Sequence, residues 1–405
     1  MGAKGKLPVS IDDEFKVNEG IETLEIKRLG FSIPENVGMN SKVLTKIDSI
    51  ANYAISKKMT PGIQVVVARK GKVIYQKSFG NHTYESTQKV NNTDVYDIAS
   101  LTKIVATLPN VMQEFDQGHL TLETKLKTML PEAKNSNKAN ATVLDMLTHQ
   151  ARFQPWIPFY KATLDSLNRP STHFYRSEFS DEFPVHVADK LYLRKNYNDT
   201  IVKTILDSEL LPKKQYKYSD FTFILFKEYL ELHNKKSLED LAHANFFEPL
   251  GANSIMYNPL RKMNANRIIP TENDNYFRHQ IVQGYVHDMA AAMQGGISGH
   301  AGLFANALDV AKVMQMYLQK GSYGGRTYIS ENTFNMFNTC YFCKDGNRRG
   351  VGFDKPQLGN EGPTCGCVSL TSFGHTGFTG TMTWADPEKE IVYVFLSNRT
   401  FPDSN

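Results

Sequence analysis

The chain has 405 residues, 41% of them hydrophobic and 22% charged, enough to bury one large two-lobed core or two modest ones. Its 46 basic and 42 acidic side chains leave a formal charge of +4 without a long basic run, which argues against a nucleic-acid or membrane-surface binder. The longest apolar runs, such as Ile63–Ala68, are far too short to cross a bilayer.

Residues 1–37 carry scattered charges, Pro8, Pro34 and several glycines, and read as an extended leader. Met1-Gly2-Ala3-Lys4 runs straight into polar sequence, so no signal peptide is read at the start. From Asn40 to Lys58 the apolar positions Val43, Leu44, Ile47, Ile50, Ala51 and Ala54 fall on one side of a helix, which Pro61-Gly62 breaks. Ile63–Arg69 and Val73–Phe79, joined through Gly71, predict a β-hairpin. The pattern is then chiefly helical to about residue 320, including Lys103–Phe115, Val143–Leu147, Phe221–Leu232, Leu238–Phe247 and Val310–Leu318. Strand signals return at Gly380–Ala385 and Ile391–Ser397, separated by the turn Asp386-Pro387-Glu388-Lys389. Two strands alone are marginal, and the late strands are the obvious partners of the early hairpin. The expected fold is therefore α/β of the α+β kind. One antiparallel sheet, from about 60–80 and 345–400, carries an inserted helical lobe from about 105 to 320.

The four cysteines are bunched as Cys340-x-x-Cys343 and Cys365-x-Cys367. A tetrathiolate zinc site, two disulfides and reduced thiols in neighbouring loops all fit this spacing, and a structural role follows in each case.

Ser100-Leu101-Thr102-Lys103 is an S-x-x-K. At helical spacing the two side chains share a face, so the lysine amine can meet the serine hydroxyl. An amine whose pKa is lowered by burial beside other cations can accept the serine proton. Chance supplies about one or two such motifs in a chain this long. The other one, Ser86–Lys89, lies in a polar stretch with no apolar face to bury it. Ser100 instead opens an apolar helix with Ile104, Val105, Leu108, Val111 and Met112, where backbone N–H groups can receive an oxyanion. Further on, Tyr218-Ser219-Asp220 precedes a helix. Taken alone it is an N-cap beside a core tyrosine. Gly374-His375-Thr376-Gly377 precedes Phe378-Thr379-Gly380 and a strand, and taken alone it is a glycine-rich turn.

In this order and at these distances the three pieces resemble the signature of the serine β-lactamase and penicillin-binding-protein superfamily: S-x-x-K, then Y-x-N or S-x-N, then K-T-G or H-x-G. The resemblance is closest to the class C-like branch, with its esterases, D-aminopeptidases and DD-peptidases, and covers residues 38–405. Leu144-Asp145-Met146-Leu147-Thr148-His149 is similar to the family's L-L-T-H segment. Gly295–Phe304, followed by Asp309, is similar to its G-x-x-S-x-A-x-D-L region. His149 and His300 otherwise read as packing or loop anchors.

The resemblance implies a β-lactamase/transpeptidase-like fold and a serine hydrolase of a small amide or ester, such as a D-amino-acid peptide from peptidoglycan. It implies Ser100 as nucleophile, Lys103 and Tyr218 as its proton partners, and the backbone N–H groups of Ser100 and Phe378 as oxyanion hole. Asp220, His375, Thr376 and Gly377 would bind substrate, without metal or other cofactor. A periplasmic or cell-envelope location also follows from it.

Two departures stand out. Asp220 replaces the usual Asn, so it can only accept, and it can pair with Lys103 and keep that lysine charged. His375 replaces the usual lysine, removing a fixed charge that would grip a substrate carboxylate. This favours esterase or peptidase chemistry over β-lactam hydrolysis. Gly5-Lys6-Leu7-Pro8-Val9-Ser10 resembles the end of a family 3 glycoside hydrolase, which implies a covalently fused glycosidase module before this one. The family ordinarily ends with a helix on the sheet, whereas this sequence stops just past its last strand, which reads as a trimmed end.

The main rival is a binding module that keeps the fold without turnover. A metal-dependent hydrolase lacks H-E-x-x-H or comparable spacing. An α/β-hydrolase elbow fails because Gly296-Ile297-Ser298-Gly299 is followed by His300.

Overall fold

A computed structural model describes residues 5–21, 27–357, 359 and 362–404; Met1–Lys4, residues 22–26 of the leader and Asn405 lie outside them. The site is organised by a six-stranded sheet made of β1 (Gly30–Phe31), β2 (Gly62–Arg69), β3 (Lys72–Gly80), β4 (Phe373–Gly377), β5 (Thr381–Asp386) and β6 (Ile391–Ser397). In space the order is β4-β5-β6-β2-β3-β1, antiparallel except for the β1–β3 edge, which is parallel. The first and last parts of the chain meet at the centre, where β6 pairs with β2 from Ile391–Arg69 to Ser397–Ile63.

This pairing follows from the strands' composition. A strand buried on both faces reads as a continuous apolar run, and β2 is buried from Gly62 to Ala68. Because successive side chains point to opposite faces, Ile63, Val65 and Val67 pack with Leu44 and Ala51 of helix α1 (Ser41–Ser56). Val66 and Ala68, with Val392, Val394 and Leu396, belong to the main core. Helix α4 (Ala307–Leu318) lies on that second face with Val310 and Met314 buried. Helices α2 (Leu108–Asp116) and α3 (Phe221–Asn234) belong to the residues between the two halves of the sheet.

The structure departs from the sequence reading in one place and sharpens it in another. Lys103–Phe115 was expected as one regular helix. Instead Lys103–Thr107 is a π-helical turn and the α-helix begins only at Leu108. Pro109 has no N–H to continue the ladder, and the wider turn accommodates the break. The Ile104 carbonyl is capped by the Tyr317 hydroxyl at 2.8 Å. Gly374–Gly377, a glycine-rich turn only when taken alone and an inner-strand motif by the family resemblance, is strand β4, paired with β5 through His375–Thr383. Its glycines are required by close approach: a Cβ on Gly377 would lie 2.8 Å from the Ile98 carbonyl and 2.1 Å from Thr381 Oγ1. That approach lets Thr381 and Thr379 donate to the carbonyls of Ile98 and Asp97, at 3.1 and 2.8 Å, and so sews the sheet to the segment before Ser100.

The cysteines, for which three states were open, form two local disulfides, Cys340–Cys343 and Cys365–Cys367. No helix among the described residues is long and apolar enough to cross a membrane.

Gly377→Ala is expected to lower unfolding free energy by about 1–3 kcal/mol in urea denaturation, the usual cost of over-packing, because the Ile98 carbonyl cannot retreat without moving Ser100. An unchanged midpoint would show that the approach of β4 to this segment is not needed.

Candidate active site

Ser100 sits on a short 3-10 turn, Ala99–Leu101, directly after an alanine held at φ +46°. That backbone region is uncommon for any residue but glycine, and it persists only where the surroundings over-determine it. Here Asp97 Oδ1 accepts the Ala99 N–H at 2.8 Å, while Asp97 Oδ2 accepts the His287 N–H at 2.6 Å. The turn presents Ser100 at the floor of a cavity of about 600 Å³.

Lys103 follows within the π-helical turn and is fully buried. Its ammonium donates to Ser100 Oγ at 2.8 Å and to the His300 carbonyl at 3.1 Å, and forms an ion pair with Asp220 Oδ1 at 2.6 Å. An ammonium offers three N–H bonds and no lone pair, so this arrangement is matched to the charged form. Burial alone would discharge the amine, but Asp220, with the Tyr218 oxygen, outweighs it and raises the pKa above the ordinary lysine value. Of the two readings open for this amine, freed by burial beside cations or held charged by Asp220, the geometry matches the second.

Tyr218 Oη donates to Ser100 Oγ at 3.1 Å. The Lys103 ammonium also lies 5.1 Å from the centre of the tyrosine ring. Burial pushes the phenol's pKa up, with the Lys103 charge opposing, so the ground state holds a neutral tyrosine. Tyr218 and Asp220 are fixed just before α3, where Ser219 Oγ donates to the Gln154 carbonyl at 2.6 Å. The Gly295–Phe304 loop closes the far side. Thr107 Oγ1 donates to the Gly299 carbonyl at 2.7 Å, and a Cβ on Gly299 would collide with the Phe223 carbonyl at 2.0 Å.

The structure thus gathers Ser100, Lys103, Tyr218 and Asp220 at one point. Phe378, with its side chain about half exposed, is on the cavity wall. Among the described residues no hydrogen bond occupies the backbone N–H groups of Ser100 and Phe378. His375, Thr376 and Gly377 are not among the residues that line this cavity; Thr376 is exposed beside it. His375 is buried behind Tyr218, ring centroids 6.0 Å apart. Its Nδ1–H donates to the Thr376 carbonyl at 2.7 Å, and its Nε2 accepts from Arg349 at 3.2 Å.

Arg349 is the group sequence reasoning missed. It is buried, donates also to His149 Nε2 at 3.1 Å, lies over the Tyr218 ring and pairs with Asp354. The only trace in the sequence is the run Asn347-Arg348-Arg349-Gly350, which does not announce burial. His149 and His300 do anchor loops, as expected for each taken alone, but they do so at the site. His149 packs against Tyr218 in a tilted ring contact, centroids 4.6 Å apart, and His300 bridges Ser298 Oγ and Asp288 Oδ1 at 2.8 Å each. Burial works against the Asp288 carboxylate, yet His300 beside it holds its pKa well below the usual range. Trp156, Tyr160, Tyr276 and Met289 complete an aromatic and apolar wall, and Glu272 and Asp288 add carboxylates. Among the described residues that line the cavity there is no lysine or arginine.

A family model described as Beta-lactamase matches residues 51–405. Over 396 residues the chain is 26% identical to an Escherichia coli K12 protein provisionally named D-alanyl-D-alanine carboxypeptidase, covering 91% of this chain and 85% of that one. Over 395 residues it is 27% identical to the N-acetylmuramyl-L-alanine amidase of Bacillus subtilis 168, covering 90% and 83%. Among solved structures, EstCE1, a hydrolase with promiscuous acyltransferase activity, aligns with a TM-score of 0.65 at 17% identity, over 88% of this chain and 93% of that one.

The buried histidine yields a pH test. Burial first and the Arg349 cation second push His375 down to about 3. The unfolded chain therefore binds this proton near the ordinary 6.5, while the native state refuses it until about pH 3. Its contribution to stability is complete above pH 6.5 and is lost as pH falls toward 3. The His375 ring resonances are expected to show no inflection between pH 5 and 8 by NMR, and His375→Asn should flatten the acid loss of stability. An inflection near 6.5 would contradict the neutral assignment.

Proposed function

The chain belongs to the beta-lactamase family, as a hydrolase of the β-lactamase/transpeptidase fold, and from that premise we propose that Ser100 attacks a carbonyl and carries a covalent acyl-enzyme. The observation that carries the reading is the contact of one serine oxygen with both Lys103 and Tyr218, at 2.8 and 3.1 Å, on the floor of an open cavity. A nucleophile within hydrogen-bond reach of its proton partners, with a third group orienting them, is the general pattern of activated serine chemistry.

The protonation pattern decides the order of events. Lys103 arrives charged, so it cannot take the Ser100 proton until it loses one of its own. Asp220, 2.6 Å away, is the acceptor in place. In the proposed step the Ser100 Oγ–H proton moves to Lys103 Nζ as a Lys103 proton moves to Asp220 Oδ1. The Ser100–acyl bond then forms on the substrate carbonyl. Lys103 stays an ammonium through this exchange, Asp220 becomes the neutral acid, and the serine oxygen takes up the negative charge. Tyr218, a neutral phenol held against the same oxygen, delivers a proton to the leaving group and regains one from Lys103. The developing oxyanion lies against the N–H groups of Ser100 and Phe378, where preorganised donors contribute most. Water on the same path hydrolyses the acyl-enzyme.

The names of the two relatives, a D-alanyl-D-alanine carboxypeptidase and an N-acetylmuramyl-L-alanine amidase, support a small peptidoglycan-derived amide as substrate class. The wall itself supports a selection by charge. The carboxylates Asp220, Glu272 and Asp288 are already paired with Lys103, His287 and His300, and among the described residues no lysine or arginine lines the cavity, which supports a substrate that is neutral near the scissile bond.

Intact-protein mass spectrometry after exposure to p-nitrophenyl acetate, a penicillin and a fluorophosphonate is expected to show one adduct, absent in Ser100→Ala, with the neutral ester reacting faster than the penicillin. No adduct in folded protein would sink the reading and leave a binding module of this fold. Turnover by Ser100→Ala is expected to fall by about 10³-fold or more. Asp220→Asn separates the two possible bases. If the carboxylate is the proton sink, kcat/KM at pH 7 falls by about 10²-fold and recovers only at alkaline pH, as the free amine is uncovered. An acid limb that moves to lower pH instead would make Lys103 alone the base.

A further inference from the structure

Away from the Ser100 cavity, three side chains from two helices converge on one point. Glu114 is in the last turn of α2, His119 follows just after it, and His233 is in the last turn of α3. Glu114 Oε2 lies 2.9 Å from His119 Nδ1 and 3.4 Å from His233 Nε2, and the two ring nitrogens are 3.2 Å apart. With Glu114 as a carboxylate, no assignment of protons satisfies all three sides of this triangle. Contact with the carboxylate requires a hydrogen on each nitrogen, and the two nitrogens then face each other with a hydrogen on both. Any tautomer leaves one side of the triangle repulsive or empty.

A cation at the centre satisfies all three sides at once. Tetrahedral zinc with bonds of about 2.0–2.1 Å to nitrogen and oxygen has ligand atoms about 3.3 Å apart, close to the three separations seen. Two imidazoles and a carboxylate are a donor set suited to zinc. The supporting contacts match as well. Asn234 Nδ2 donates to Glu114 Oε1 at 2.9 Å, Tyr229 Oη donates to Oε2 at 3.3 Å, and Tyr229 stacks on the His233 ring. Such outer contacts hold ligands in register. Glu114 is nearly fully buried, and among the described residues no lysine or arginine pairs with it. The two histidines are about two-fifths exposed, which leaves an entry path and a position for water.

We propose that Glu114, His119 and His233 bind one zinc ion, which clasps the ends of α2 and α3 together. The other ends of the same two segments carry Ser100 with Lys103 and Tyr218 with Asp220. At 1.5 Å per residue the ion lies about 20 Å from Ser100, so it acts on helix pairing and not on the reaction.

The experiment is equilibrium dialysis of the full chain against zinc chloride, metal analysis of the retained protein, and thermal melts with and without zinc. Wild type is expected to retain one equivalent. At zinc a hundredfold above Kd its Tm should rise by about 3 °C. The double variant His119→Ala/His233→Ala should lose that equivalent and the Tm response, yet turn over p-nitrophenyl acetate at the wild-type rate. Because both histidines are half exposed the variant should fold, and Glu114→Gln gives a second, isosteric loss of the ligand charge. Absence of retained zinc in wild type, or equal retention by wild type and the double variant, overturns the proposal.

Discussion

One buried charge organises this molecule. Lys103 is fully enclosed, and an ammonium withdrawn from water persists only where every N–H finds an acceptor and a counter-charge stands beside it. Meeting that demand draws together three separate parts of the chain: Ser100 on its own turn, Asp220 before α3, and the His300 carbonyl in the Gly295–Phe304 loop. The π-helical turn, the close approach of Gly299 and the strained Ala99 are geometric conditions for that meeting. The candidate site is therefore the place where a structural obligation and a chemical opportunity coincide.

A second buried cation works behind the first. Burial first, and then Arg349, which donates to His149 and His375, lower the pKa of the rings that flank Tyr218 and favour their neutral form, and the Lys103 charge adds to the effect. Arg349 thus holds a fixed positive charge behind His375, away from the residues that line the cavity. What lines the cavity is an aromatic wall with carboxylates.

Much of this was legible in the sequence because it is local. The hairpin, helix α1 and the late strands follow from periodicity, and Ser100 with Lys103 follows from spacing plus the apolar face behind it. The choice against Ser86–Lys89 rests on that same face. The charged state of Lys103 was legible only in part, since Asp220 announced a possible ion pair but not its length. Other features were hidden for physical reasons. A π-helical turn has the composition of a helix, and only Pro109 marks it. Gly374–Gly377 has the composition of a turn, and only the close approach of Ile98 makes glycine necessary in a strand. Arg349, and the triangle of Glu114, His119 and His233, depend on contacts between residues far apart in the chain, which no local pattern encodes.

The pairing of β6 with β2 sets an order on how the molecule can come into being. The central strands of the sheet lie about 300 residues apart, so their pairing closes only after everything between them has been made. Until then β2, apolar on both faces, has a bare inner edge, the kind of surface that pairs with a neighbouring chain as readily as with its own. The segment that finally seals it, β5 and β6, follows directly on the strand that packs against Ser100. Closing the sheet and seating the nucleophile become one late event, so a chain that stalls before it has neither.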